Sequence, residues 1–64
     1  MAEQWYKADK ILPKMENTFT SETVDVKIDT GHIKQGYYDF GRGRWYITGA
    51  LQNETPVLWR YIRL

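Results

Sequence analysis

The clearest alternation of hydrophobic and polar positions lies in the segment TVDVKID, residues 23–29. Its apolar residues Val24, Val26 and Ile28 alternate with polar neighbours, which is typical of a strand with one buried face. Further β-favouring runs follow at residues 33–40, 44–51 and 57–64, separated by the turn signals DTGH, GRG and QNETP. Because short connections favour antiparallel hairpins, the pattern predicts a mainly β domain. We expect a small antiparallel four-stranded meander, with a sheet curled towards a barrel as the alternative.

The first twenty residues carry a weaker pattern. The segment EQWYKADKIL could form a short helix with Trp5 and Leu12 near one face, but it has no N-cap and runs into Pro13. We therefore prefer an extended arm that crosses the sheet, anchored by Trp5 and Leu12, and leave the helix open. Residues 1–64 are interpreted as one domain, with arm and loop over 1–20 and the sheet over 22–62.

Composition limits how such a small fold is stabilised. A chain of 64 residues buries only about 60% of its unfolded surface. It has no cysteine and a single histidine, which leaves dense aromatic packing or self-association as reinforcement. The lack of cysteine, of an apolar run long enough for a membrane span and of a signal-peptide pattern predicts a cytoplasmic protein without membrane contact.

Charge is nearly balanced overall but unevenly distributed. The first 31 residues hold four lysines and six acidic residues, whereas the remainder holds five basic and two acidic residues. The first part is therefore −2 and the second part +3, and all four arginines lie in the second part. This distribution directs the search for a binding surface to the second half of the chain.

Three candidate catalytic or metal-binding residues have simpler interpretations. Asp29 stands in an Asp-Thr-Gly motif like that of aspartic proteases, in which two carboxylates share a proton. The same residues are ordinary turn chemistry, and the chain is short for a substrate cleft. Ser21 and His32 lack the partners that a nucleophile or a zinc site needs. We predict a non-enzyme without cofactor or metal, and keep an aspartic-type hydrolase as a distant third alternative.

The segment GYYDFGRGRWY, residues 36–46, interleaves rings with arginines. Neighbouring strand residues point to opposite faces, so at least two of its rings must face away from the main core. The residues predicted to form a binding face are Tyr38, Phe40, Arg42, Arg44, Tyr46 and Arg60. Those predicted to be structural are Trp5, Leu12, Pro13, Val24, Val26, Ile28, Tyr37, Trp45 and Trp59.

Most of these rings are expected to fill the core and to pack against the arm, because aromatic cross-strand pairs stabilise sheets. The remaining aromatic face is predicted to bind a protein partner or a second copy of the chain. The alternative is single-stranded nucleic acid, whose bases would stack on the rings while arginines neutralise phosphates.

An ordered set of short motifs points to a family. Trp5, Leu12-Pro13, residues 24–29, residues 36–46 and Trp59 together resemble the five-fifty-one family of domains of unknown function. Those domains occur in bacterial and phage-borne proteins.

The chain departs from the family pattern in two places. The interval before the first long strand is longer, and the family's His-Trp-Met-Pro ending is Leu-Trp-Arg-Tyr here, at residues 58–61. The resemblance implies a compact β-rich module and no particular reaction. It also implies that Trp5, Trp45 and Trp59 form one cluster that joins the arm to the sheet.

Overall fold

The fold is a single antiparallel sheet of five strands. A computed structural model describes residues 4–49 and 54–62, and contains no helix in those ranges. The strands are β1 (Tyr6–Lys7), β2 (Val24–Ile28), β3 (Ile33–Asp39), β4 (Arg44–Ile47) and β5 (Pro56–Tyr61). The predicted mainly β, antiparallel class is confirmed. The strand count is five instead of four because the arm contributes the short strand β1.

The strand order is β1-β5-β2-β3-β4, and the sheet is not closed into a barrel. Strands β2, β3 and β4 form the predicted meander, but β5 pairs with β2 instead of following β4. The reason lies in β2, where Val24 and Val26 have no exposed surface. Pairing of β5 with β2 sets Trp59 directly opposite Val26, which places the largest of the fully buried side chains on the same face as the two valines.

The two turns that the sequence predicts from the glycines in DTGH and GRG are both present. After β2, Gly31 adopts φ 92° and donates its N–H to the carbonyl of Ile28 at 2.9 Å. After β3, the carboxylate of Asp39 accepts the N–H groups of Gly41 and Arg42 at 3.0 and 3.2 Å. Gly43 adopts φ 68° and closes this turn. The Asp-Thr-Gly segment is therefore a hairpin turn in this fold.

One face of the sheet, which we call the inner face, holds the core. Val24, Val26, Trp59 and Ala8 are buried together, with Tyr6, Trp45 and Ile47 packed against them. The arm crosses this face, where the indole N–H of Trp59 donates to the carbonyl of Ile11 at 2.7 Å. The arm therefore covers the inner face in place of a second layer of secondary structure.

Of the two anchors predicted for the arm, Trp5 contacts the sheet, but Leu12 is not buried. Ala8 and Pro13 are buried, whereas Leu12 is 42% exposed. Trp5 lies against Lys27 and Arg60, whose side chains project from the opposite, outer face. The expected cluster of three tryptophans is therefore wrong, because only Trp45 and Trp59 meet, with ring centroids 6.4 Å apart.

Candidate binding surface

Strand alternation divides the rings of the β3–β4 hairpin between the two faces. On the outer face, Tyr37 and Tyr46 are directly opposite in register, and their rings stack with centroids 5.2 Å apart and planes 29° apart. On the inner face, Tyr38 and Trp45 form the next cross-strand pair and meet edge to face at 5.5 Å. The prediction that neighbouring rings point to opposite faces is confirmed.

The outer tyrosine pair borders a shallow depression at the end of the hairpin. Tyr46 is 54% exposed, whereas Tyr37 is half-buried beside it. The residues that line the depression are Tyr37, Asp39, Arg42, Arg44, Trp45 and Tyr46. We call Tyr37, Tyr46, Arg42 and Arg44 the tyrosine patch. It combines stacked rings with guanidinium donors on one accessible surface.

The two arginine side chains of the tyrosine patch make only weak contacts with acidic groups of the chain. Arg42 lies 3.8 Å from the carboxylate of Asp39, and 70% of its side chain is exposed. An exposed pair at that distance contributes little to stability. Arg44 is exposed and stands opposite Asp39 in the strand register. Both guanidinium groups therefore remain accessible to a binding partner that offers a carboxylate or a carbonyl oxygen.

A second group on the outer face is already satisfied within the chain. The Nε of Arg60 lies 3.1 Å from the Asp25 carboxylate, with 23% and 18% of the two side chains exposed. Its guanidinium also lies 4.4 Å from the centre of the Trp5 ring, and the Lys27 ammonium lies 4.9 Å from the same centre. These cation–π contacts fix Trp5 to the sheet. Arg60, predicted as a binding residue, serves here to hold the start of the arm.

The structure brings together half of the predicted binding residues. Arg42, Arg44 and Tyr46 share the tyrosine patch, which also includes Tyr37, predicted as structural. Tyr38 faces the inner side, where its ring meets that of Phe40 at 4.9 Å. Tyr37 could have been found from the sequence only with the hairpin register in hand, because that register sets it opposite Tyr46.

The polar residues considered for catalysis occupy structural or exposed positions. The hydroxyl of Ser21, which is 4% exposed, accepts the N–H of Tyr38 at 2.9 Å and donates to the carbonyl of Glu22. Asp29 and His32 are exposed in the β2–β3 turn. Among residues 4–49 and 54–62, no group of three or more His, Asp or Glu side chains is arranged to hold a metal ion. The same ranges include no helix of a length and apolarity that would cross a bilayer.

Comparison with known proteins gives no match to a family model, and no curated protein or solved structure is significantly similar to the chain. The resemblance to the five-fifty-one family therefore stays a prediction based on the sequence motifs.

Proposed function

We propose that the protein is a non-catalytic binding module that recognises a protein partner through the tyrosine patch. The observation that carries this proposal is a 54% exposed Tyr46, stacked on Tyr37 and sharing a depression with Arg42 and Arg44. Tyrosine and arginine are, with tryptophan, enriched among the residues that contribute most to protein interfaces. An accessory role in a bacterial or phage setting, in the cytoplasm, is the context that the sequence motifs and composition favour.

The contacts of the arginines favour a protein partner over nucleic acid. One of the three arginines predicted to neutralise phosphates, Arg60, already pairs with the Asp25 carboxylate at 3.1 Å, which leaves two arginines for phosphates. Stacking between Tyr37 and Tyr46 also occupies one side of each ring, which reduces the area left for bases. Binding of single-stranded nucleic acid is the second candidate. It would show a salt slope of about −0.7 per phosphate contact.

A photo-crosslinking experiment in the cell tests this proposal. A benzophenone amino acid replaces Tyr46 in one variant, and replaces Val57, which is 45% exposed and lies outside the tyrosine patch, in the control. We expect discrete protein adducts at position 46 that are absent or much weaker at position 57. A nuclease-sensitive adduct would favour the second candidate, and equal adducts at both positions would contradict the proposal.

A further inference from the structure

The outer edge of β4 offers backbone groups for pairing. The N–H of Thr48 donates to the carbonyl of Gln35 at 2.8 Å, and the register continues through Tyr37 opposite Tyr46 and Asp39 opposite Arg44. Hydrogen-bonded positions alternate along an antiparallel strand, so Trp45 and Ile47 direct their N–H and C=O groups away from β3. In the described part of the chain no strand pairs with this side of β4. Such an edge is a template for another strand.

We propose that the strand added at this edge is β4 of a second copy of the chain, in antiparallel orientation with a two-fold axis at Tyr46. This inference rests on the proposed function, since it names the partner that Tyr46 of the tyrosine patch contacts. Around that axis Trp45 of one copy is opposite Ile47 of the other, and the reverse. The two positions with outward backbone groups therefore form the hydrogen-bonded pairs, which gives four intermolecular backbone hydrogen bonds.

The side chains in this register complement one another on both faces. On the outer face Tyr46 meets Tyr46 of the second copy, so the existing stack of Tyr37 on Tyr46 continues as a row of four tyrosines. On the inner face Trp45 is opposite Ile47, and both are half-buried in the single chain. Arg44 is opposite Thr48, so no like charges face each other across the interface.

Other antiparallel registers lose part of this complementarity. A register centred on Trp45 would place Arg44 opposite Tyr46 and would break the row of tyrosines. A slip by one residue would set outward backbone groups opposite inward ones and would move side chains to the wrong face. The contact is nevertheless short, because β4 has only 4 residues. It belongs to the small, transient class of interface, which buries less than about 1,200 Å², so dimer formation should depend strongly on concentration.

Cysteine crosslinking tests both the partner and the register, because the native chain contains no cysteine. Residues opposite each other in a non-hydrogen-bonded pair have Cβ atoms about 4.5–5.5 Å apart, within reach of a disulfide after a small adjustment. In an oxidising glutathione buffer, Tyr46→Cys is expected to form a covalent dimer rapidly. Val57→Cys, at an exposed residue away from the β4 edge, should give a yield of covalent dimer at least tenfold lower. Equal yields from the two variants would overturn the proposal.

A mixing experiment defines the register further. Arg44→Cys alone should crosslink poorly, because the two copies of residue 44 lie about four residues apart along the paired strands, at about 3.4 Å per residue. A mixture of Arg44→Cys with Thr48→Cys should give a disulfide-linked heterodimer. Efficient crosslinking of Arg44→Cys by itself would show that the two-fold axis is not at Tyr46.

Two variants with opposite charges at position 46 test the same two-fold axis without oxidation. Tyr46→Lys places two ammonium groups opposite each other and should abolish the dimer in sedimentation equilibrium, and Tyr46→Glu should act likewise. An equimolar mixture of the two variants should restore a heterodimer. A wild-type chain that stays monomeric at millimolar concentration would refute self-association, whereas photo-crosslinking at position 46 to a different protein would still support the proposed function.

Discussion

Gly36 is the residue at which an added side chain would have the largest effect. It lies in the centre of the sheet, opposite Val24 on one side and Ile47 on the other. A Cβ atom there would overlap the carbonyl oxygen of Tyr46 and would lie 2.9 Å from the Cα of Ile47. Because both neighbours are backbone atoms of β4, they can move only by disturbing the strand pairing. We expect Gly36→Ala to lower the free energy of unfolding by more than about 2 kcal/mol, measured by urea denaturation.

The matched control for this substitution is Gly31→Ala. Gly31 has φ +92°, but a Cβ atom added there would meet nothing within 4 Å. Its cost is then conformational strain alone, of about 1–2 kcal/mol. A smaller loss for Gly36→Ala than for Gly31→Ala would show that β4 adjusts easily at that point.

Ser21 provides a second prediction at the scale of single residues. Its buried hydroxyl accepts the Tyr38 N–H at 2.9 Å and so completes the edge of β3. Ser21→Ala leaves that N–H without its acceptor, and we expect a loss of about 1–3 kcal/mol. Thermal unfolding monitored by tryptophan fluorescence measures it, with Thr23→Ala at an exposed neighbour as control. Unchanged stability would mean that water replaces the hydroxyl.

The division of residues between core and surface was only partly predictable. Adjacency in the sequence requires that Tyr37 and Tyr38 point to opposite faces, and this holds. Which of the two tyrosine rings lies on the outer face depends on the pairing of Tyr37 with Tyr46 and on which face the arm covers. Neither is encoded in local alternation, so the sequence interpretation grouped Tyr38 with Tyr46, whereas in the structure Tyr37 lies beside Tyr46.

At the scale of elements, the contact between β5 and the arm decides whether the inner face stays covered. The Trp59 ring packs on Tyr6 at 4.7 Å and its indole N–H bonds the Ile11 carbonyl at 2.7 Å. Trp59→Phe keeps most of the apolar area but removes this hydrogen bond. We expect a loss of about 1–2 kcal/mol and faster tryptic cleavage after Lys10 and Lys14. Trp45→Phe is the control. Equal rates of tryptic cleavage in the two variants would show that the hydrogen bond from Trp59 to Ile11 does not hold the arm on the sheet.

The elements that the sequence predicts best are those with local signals. β2 follows from the alternation of Val24, Val26 and Ile28, and the hairpin turns follow from their glycines. The position of β5 beside β2, by contrast, depends on pairs such as Val26 with Trp59, which are far apart in the chain. β1 has 2 residues, too few to carry a period. Its pairing of Tyr6 with Trp59 is a tertiary contact that local patterns do not contain.

At the scale of the whole molecule, the two faces of the sheet differ in how much of each is covered by other parts of the chain. The arm covers the inner face, where Ala8 packs in the core and the Ile11 carbonyl accepts a hydrogen bond from the Trp59 indole. On the outer face the pair of Arg60 with Asp25 and the ring of Trp5 cover one end. The tyrosine patch lies at the other end with Tyr46 largely open to solvent. The binding function that we propose therefore lies at one corner of the sheet, next to the edge of β4 on which no strand of the described residues pairs.

Salt dependence separates the two binding functions at this scale. The proposed dimer places no ion pair across the interface, so raising sodium chloride from 0.1 to 0.5 M should change its dissociation constant by less than about twofold, because screening acts mainly on exposed charges. An oligonucleotide that contacts three phosphates would lose about 30-fold in affinity over the same range, at a slope near −0.7 per contact. Sedimentation equilibrium measures the first quantity and fluorescence anisotropy with mixed-sequence single strands the second. A tenfold weakening of self-association by salt would mean that Arg42 or Arg44 pairs with an acidic residue of the second copy, which the register centred on Tyr46 does not allow.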